Sequence, residues 1–210
     1  MSDVPAPSIS RNRAAGAVIA ALIVAGTAVG ALWAWLAPPV HGVIALTRGG
    51  ERVRAYLGNE GDHFFVAAFL LVGMLCALAV VAAVAVWQWR AHRGPTMTAA
   101  LAAGSALGAA AAAGVGALLV HLHYGTIDVA GAPVSEQDRV HYVVEAPPVF
   151  FGHSPLQAAL TVLFPAAVAT LVYSLSAVAT ARDDLGAWPP VDEPVLARPV
   201  TVESAPPSGP

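Results

Sequence analysis

Lysine is absent from this chain, and all ten basic residues are arginine. Charge of either sign is scarce, at 11% of 210 residues. The net charge of -3 is too small to direct the chain toward nucleic acid or any strongly charged partner. One cysteine, Cys76, stands alone inside an apolar stretch, so no intramolecular disulfide ties the loops together. Phosphate-binding loop, dinucleotide fingerprint, H-E-x-x-H, paired cysteines and nucleophile elbow are all missing. These absences argue against an enzyme, and no catalytic, cofactor-binding or metal residue is assigned.

What fills the chain instead is apolar. It is 57% hydrophobic with a mean hydropathy of +0.68, which belongs to the membrane class. Four stretches carry no charge at all: 14–37, 64–89, 97–120 and 155–180. At 1.5 Å per helical residue, about 20 residues cross a hydrocarbon core of roughly 30 Å, so each stretch can span with some tilt. Their length disfavours a core hairpin of a soluble protein. The first is also too long for a cleaved signal peptide, whose apolar region is typically about 7–15 residues. The expected fold is therefore an all-α integral membrane protein of four transmembrane helices. A small extracytoplasmic cap would form from the loops after spans one and three.

Orientation follows from the turn 90–95, where Arg90 and Arg93 come just after Trp87 and Trp89. Interfacial aromatics followed by arginines in a short loop place that turn in the cytoplasm. Six arginines then lie inside (Arg11, Arg13, Arg90, Arg93, Arg182 and Arg198) and four outside (Arg48, Arg52, Arg54 and Arg139). Both termini become cytoplasmic. Residues 1–13 form a disordered lead, 14–181 a four-helix membrane domain, and 182–210 a proline-rich disordered tail.

Small residues set the expected packing. Gly26 and Gly30 in the first span, and Gly104 and Gly108 in the third, are spaced to let another helix approach closely. The third span is almost entirely Ala and Gly and is expected near the bundle centre. Asp62 is expected to cap the second span and Ser154, followed by Pro155, the fourth. Pro165 is expected to kink the fourth span or loosen a turn. In the loops, 51–57 reads as a short helix, and 126–129 and 140–145 as strands.

Chemistry outside the membrane is sparse. Six of seven histidines (His41, His63, His121, His123, His141 and His153) fall in the outer loops or at their edges. His121 and His123, with Asp62, Asp128, Glu136, Asp138 or Glu145, would be the donors of any metal site, but no ligand motif is present. Ser135, Asp138 and His141 lie too close in sequence for a catalytic triad. No span carries Asp, Glu, Lys, Arg or His in its interior, which argues against a proton-coupled transporter acting alone. The proline-stiffened run 146–152, with Phe150 and Phe151, is the candidate contact with the membrane interface or a partner.

The segments ALWAWLAPP (31–39), LTRGGERV (46–53), VWQWRAHRGP (86–95), GVGALLVHLHYG (114–125), APPVFFGHSPLQ (146–157) and TARDDLG (180–186) resemble an actinobacterial family of membrane proteins, domain of unknown function 2567. The resemblance spans nearly the whole chain and implies a plasma-membrane protein. It brings no activity, cofactor or catalytic residue. The functional expectation is a non-enzymatic accessory or scaffold subunit of an envelope assembly, in contact with the bilayer and a possible envelope partner. The alternative is a component of a lipid or small-molecule transporter.

Overall fold

The computed structural model describes residues 9–181 and Leu185. The expected disorder of residues 1–8 and of the tail from 182 onward, Leu185 apart, lies outside the described residues. Four helices carry the fold: α1 (Arg11–Leu36), α2 (Asp62–Gln88), α3 (Pro95–Tyr124) and α4 (Pro155–Val178). All four are long and apolar enough to cross a membrane. Arg11, Asn12 and Arg13 belong to α1 rather than to a disordered lead.

Each helix buries a narrow stripe. In α1 it is Ala14, Val18, Leu22, Gly26, Gly30 and Trp33, one residue per turn. The rest of each surface is also apolar, with Val24 69%, Leu171 59% and Val178 85% exposed. A water-soluble helix would be polar there, so the outer surface suits hydrocarbon. α3 is the most buried of the four. It packs along α1 on one side and α4 on the other, while α2 packs on α4 and α1. The expected place of α3 near the bundle centre is qualified in one respect: α2 meets it at few positions. Two lateral neighbours bring enough small side chains together to bury it.

At one end of the helices lies a sheet of which only the third strand matches the expectation. β1 (Val40–Leu46) is central, flanked by antiparallel β2 (Arg52–Tyr56) and β3 (Val140–Glu145). The fold is thus four helices plus a three-stranded sheet, not all-α. The segment 51–57 is a strand rather than a helix, because its backbone groups pair with β1 from Gly42↔Tyr56 to Leu46↔Arg52. The segment 126–129 forms no strand; Asp128 Oδ1 instead accepts from the amides of Ala130 and Gly131, closing a turn. Strand 140–145 forms as expected and pairs with β1 on its other edge.

Helix starts also separate into two cases. Ser154 makes a full capping box: its hydroxyl accepts from the Gln157 amide, and the Gln157 side chain accepts from the Ser154 amide. Asp62 is not a cap; it is the first helical residue, after Gly61, and makes no side-chain cap bond. α4 runs unbroken through Pro165.

The end of the helices opposite the sheet is closed by the basic turn. Arg93 donates to the carbonyls of Trp87 (2.8 Å) and Leu185 (2.7 Å) and lies over the Trp87 ring. The Tyr173 hydroxyl accepts from the Gly94 amide. Buried His92 is hydrogen-bonded through Nε2 to the Ile9 carbonyl. Both ends of the described chain therefore meet at this turn.

Candidate functional site

Alternation along the strands decides which side chains face the helices. Opposite residues in the register share a face, so Val40, Ile44, Arg54, Tyr56, His141 and Glu145 lie on one side. Val40 and Ile44 are buried there, so this is the inner face. Arg54 on β2 and Glu145 on β3 form an ion pair across β1. Gly42 lies between them on the same face, where it offers no side chain to obstruct the pair. Arg54 also lies over the Tyr56 ring, 5.6 Å from its centre.

The sheet is fastened to the helix ends at several points. Glu60 Oε2 accepts from both the amide and Nδ1 of His41, at 3.0 and 2.9 Å. His63 Nδ1 lies 2.9 Å from the Pro39 carbonyl and 3.1 Å from the same Glu60 oxygen. The bond from the His41 amide, followed by that from its ring, holds the Glu60 carboxyl below its ordinary pKa. Tyr56 meets Phe64 edge-on at 5.1 Å. Beneath, buried Trp33 donates its indole N–H to the Ala67 carbonyl at 2.7 Å.

Two cavities open at this end. One, of about 520 Å³, lies under the sheet against the start of α2 and the 145–153 segment; Arg54, Tyr56, Glu145 and His153 give it a polar lining. The other, of about 360 Å³, lies on the outer surface between α2 and α4 and is lined by Phe69, Val72, Leu160, Thr161 and Phe164. Phe151 borders both. Phe151 in turn meets Phe65 at a tilt, 5.2 Å between ring centres, and Phe65 stacks on Phe69 at 6.1 Å, an aromatic row leading from one cavity to the next. Val72 is ten residues into α2, so the second cavity reaches roughly 15 Å down the helix. Volumes of about 300–1,000 Å³ are usual for ligand sites.

The glycines singled out in the sequence lie elsewhere, in the contact between α1 and α3. A methyl at Gly26 would overlap the Gly108 carbonyl, and one at Gly30 the Ala112 backbone. A methyl at Gly104 would come 2.7 Å from Leu22 Cδ1 and 3.1 Å from the Ile19 Cα. These faces are filled within the chain and offer no partner a surface. Phe150 packs among the buried residues near Trp33 and Val149, and Phe151 stands at the cavity junction. His121 and His123 sit in the last turn of α3. Among the described residues, no group of three His, Cys, Asp or Glu could hold a metal ion. Cys76 is half-buried in α2.

Arg54, Tyr56, Phe69 and Phe164 are absent from the residues that sequence reasoning selected. Reading 51–57 as a helix hid the signal: on a strand, Arg54 and Tyr56 share a face.

Four apolar helices under a small sheet define a family of candidate multi-pass membrane proteins. The family model of the protein of unknown function DUF2567 matches residues 22–187, and the chain belongs to that family. An uncharacterized protein of Mycobacterium tuberculosis strain H37Rv is 55% identical over 180 residues, 85% of this chain and 93% of its own length. An uncharacterized protein of Mycobacterium leprae is 52% identical over 186 residues, covering 89% of this chain and 93% of that protein. No solved structure matches.

Proposed function

We propose that this chain is a non-enzymatic, multi-pass plasma-membrane protein that handles lipid as an accessory component of an envelope assembly. The observation that carries the reading is the meeting, at Phe151, of a polar cavity under the sheet with an apolar cleft on the outer helix surface. An amphiphile needs both environments side by side, and the bilayer supplies amphiphiles. The arginine distribution supports a cytoplasmic basic turn and an outward-facing sheet, so the cleft would draw on the outer leaflet. The lipid-component reading takes precedence over a pure scaffold because the glycine faces that motivated the scaffold are occupied by α1 and α3.

The test is retention. The full chain, carrying a photo-crosslinking residue in place of Phe164, Phe151, Val24 or Leu171, is irradiated after purification in mild detergent. Lipid-mass adducts are expected at 164 and 151 and not at 24 or 171. Adducts equal at all four positions, or at none, would contradict a lipid site.

A further inference from the structure

Resting on the lipid-handling reading, we infer that the site selects a zwitterionic phospholipid with a primary ammonium head, of the phosphatidylethanolamine type. The phosphate is held at Arg54, the ammonium at Glu145 and an acyl chain in the cleft between α2 and α4. The argument is one of charge complementarity. The cavity beneath the sheet holds one guanidinium and one carboxylate, paired with each other across β1. A head bearing both signs enters by exchange: one ion pair opens and two form, each charge regaining a charge-assisted hydrogen bond. The guanidinium carries five N–H donors and suits a phosphate, and the Tyr56 ring beneath keeps it in place.

Other heads satisfy half of this. Phosphatidylglycerol offers Arg54 a phosphate, but its glycerol hydroxyls give Glu145 only neutral donors, and the carboxylate loses its cationic partner. Phosphatidylcholine brings both signs, but its quaternary ammonium has no N–H to donate to the carboxylate. The cleft fixes the tail: Phe69, Val72, Leu160 and Phe164 line it together with Phe151, which borders the head cavity as well. Val72, the α2 residue of the cleft farthest from the sheet, lies roughly 15 Å from the start of α2, about half of a hydrocarbon core of roughly 30 Å and the share of one leaflet.

The experiment titrates the delipidated full chain in mild detergent with phosphatidylethanolamine, phosphatidylglycerol and phosphatidylcholine of identical acyl chains, read by native mass spectrometry. The unmutated protein is expected to bind the ethanolamine lipid roughly tenfold more tightly than either other lipid, the worth of one charged hydrogen bond. Glu145→Gln should erase that preference and raise binding of phosphatidylglycerol; Arg54→Gln should weaken all three lipids. Equal binding of the three by the unmutated protein, or preference for phosphatidylglycerol, overturns the head assignment while leaving a lipid site standing. Binding of none overturns both. The unmutated protein's preference is decisive alone, so misfolding of a variant leaves the test intact.

Discussion

At the scale of the residue, the space around each glycine separates positions that should otherwise behave alike. Gly26 and Gly108 are in backbone contact, so Gly26→Leu must push α1 from α3. Overpacking of this kind costs about 1–3 kcal/mol, and the detergent-solubilised protein should melt earlier. Gly73 has nothing within 4 Å of where a methyl would sit. Gly73→Ala should therefore leave melting unchanged or raise it, since helical glycine is about 0.5–1 kcal/mol worse than alanine. The composition revealed a small-residue helix; which glycine meets which backbone is a property of helix arrangement and leaves no mark in spacing. Glu60 makes a prediction with a sign. Its carboxyl has a lower pKa folded than unfolded, because the ionised form accepts hydrogen bonds from His41. That contribution to stability is present above the ordinary carboxylate pKa and is lost as pH falls through the lowered folded value. Protection of the β1 amides, taken as observed against intrinsic exchange, should fall on acidification below about pH 4, and Glu60→Gln should flatten that dependence. An identical pH profile in both proteins would contradict the anchoring of β1 by Glu60.

At the scale of the element, the helices were legible because a charge-free run of this length has few other readings. Their ends were less so. Ser154 and Gln157 stand at cap spacing with Pro155 between them, and the capping box forms. Asp62 has the right chemistry one position too late, and Gly61 precedes the helix instead. Ser154→Ala should destabilise the start of α4 by about 1 kcal/mol, read as faster exchange of the amides of 156–158 with the sheet unaffected. Trp33→Phe should cost about 1 kcal/mol by removing the donor to the Ala67 carbonyl. The sheet was half visible. Strand 140–145 alternates and is β-branched, but β1 and β2 lie in a loop where Gly, Arg and Glu blur the pattern. β2 pairs only with β1, and what holds β1 at the centre of the sheet is its second pairing, with a segment about a hundred residues away, which no local window contains.

At the scale of the whole molecule, the candidate site lay beyond local reading for the same reason. Arg54 and Glu145 come from different loops, and the cleft between α2 and α4 joins helices separated by α3 in sequence. The aromatic pair at 150 and 151 could be singled out in the sequence; that Phe151 stands where two cavities meet required the fold. The central claim is that four helices cross a bilayer, with the sheet and its cleft on one side and the basic turn and both ends of the described chain on the other. Reporter fusions truncated after His92 and after Asp138 test this most directly. The account predicts a cytoplasmic signal from the first and an extracytoplasmic signal from the second; the same compartment for both would contradict it.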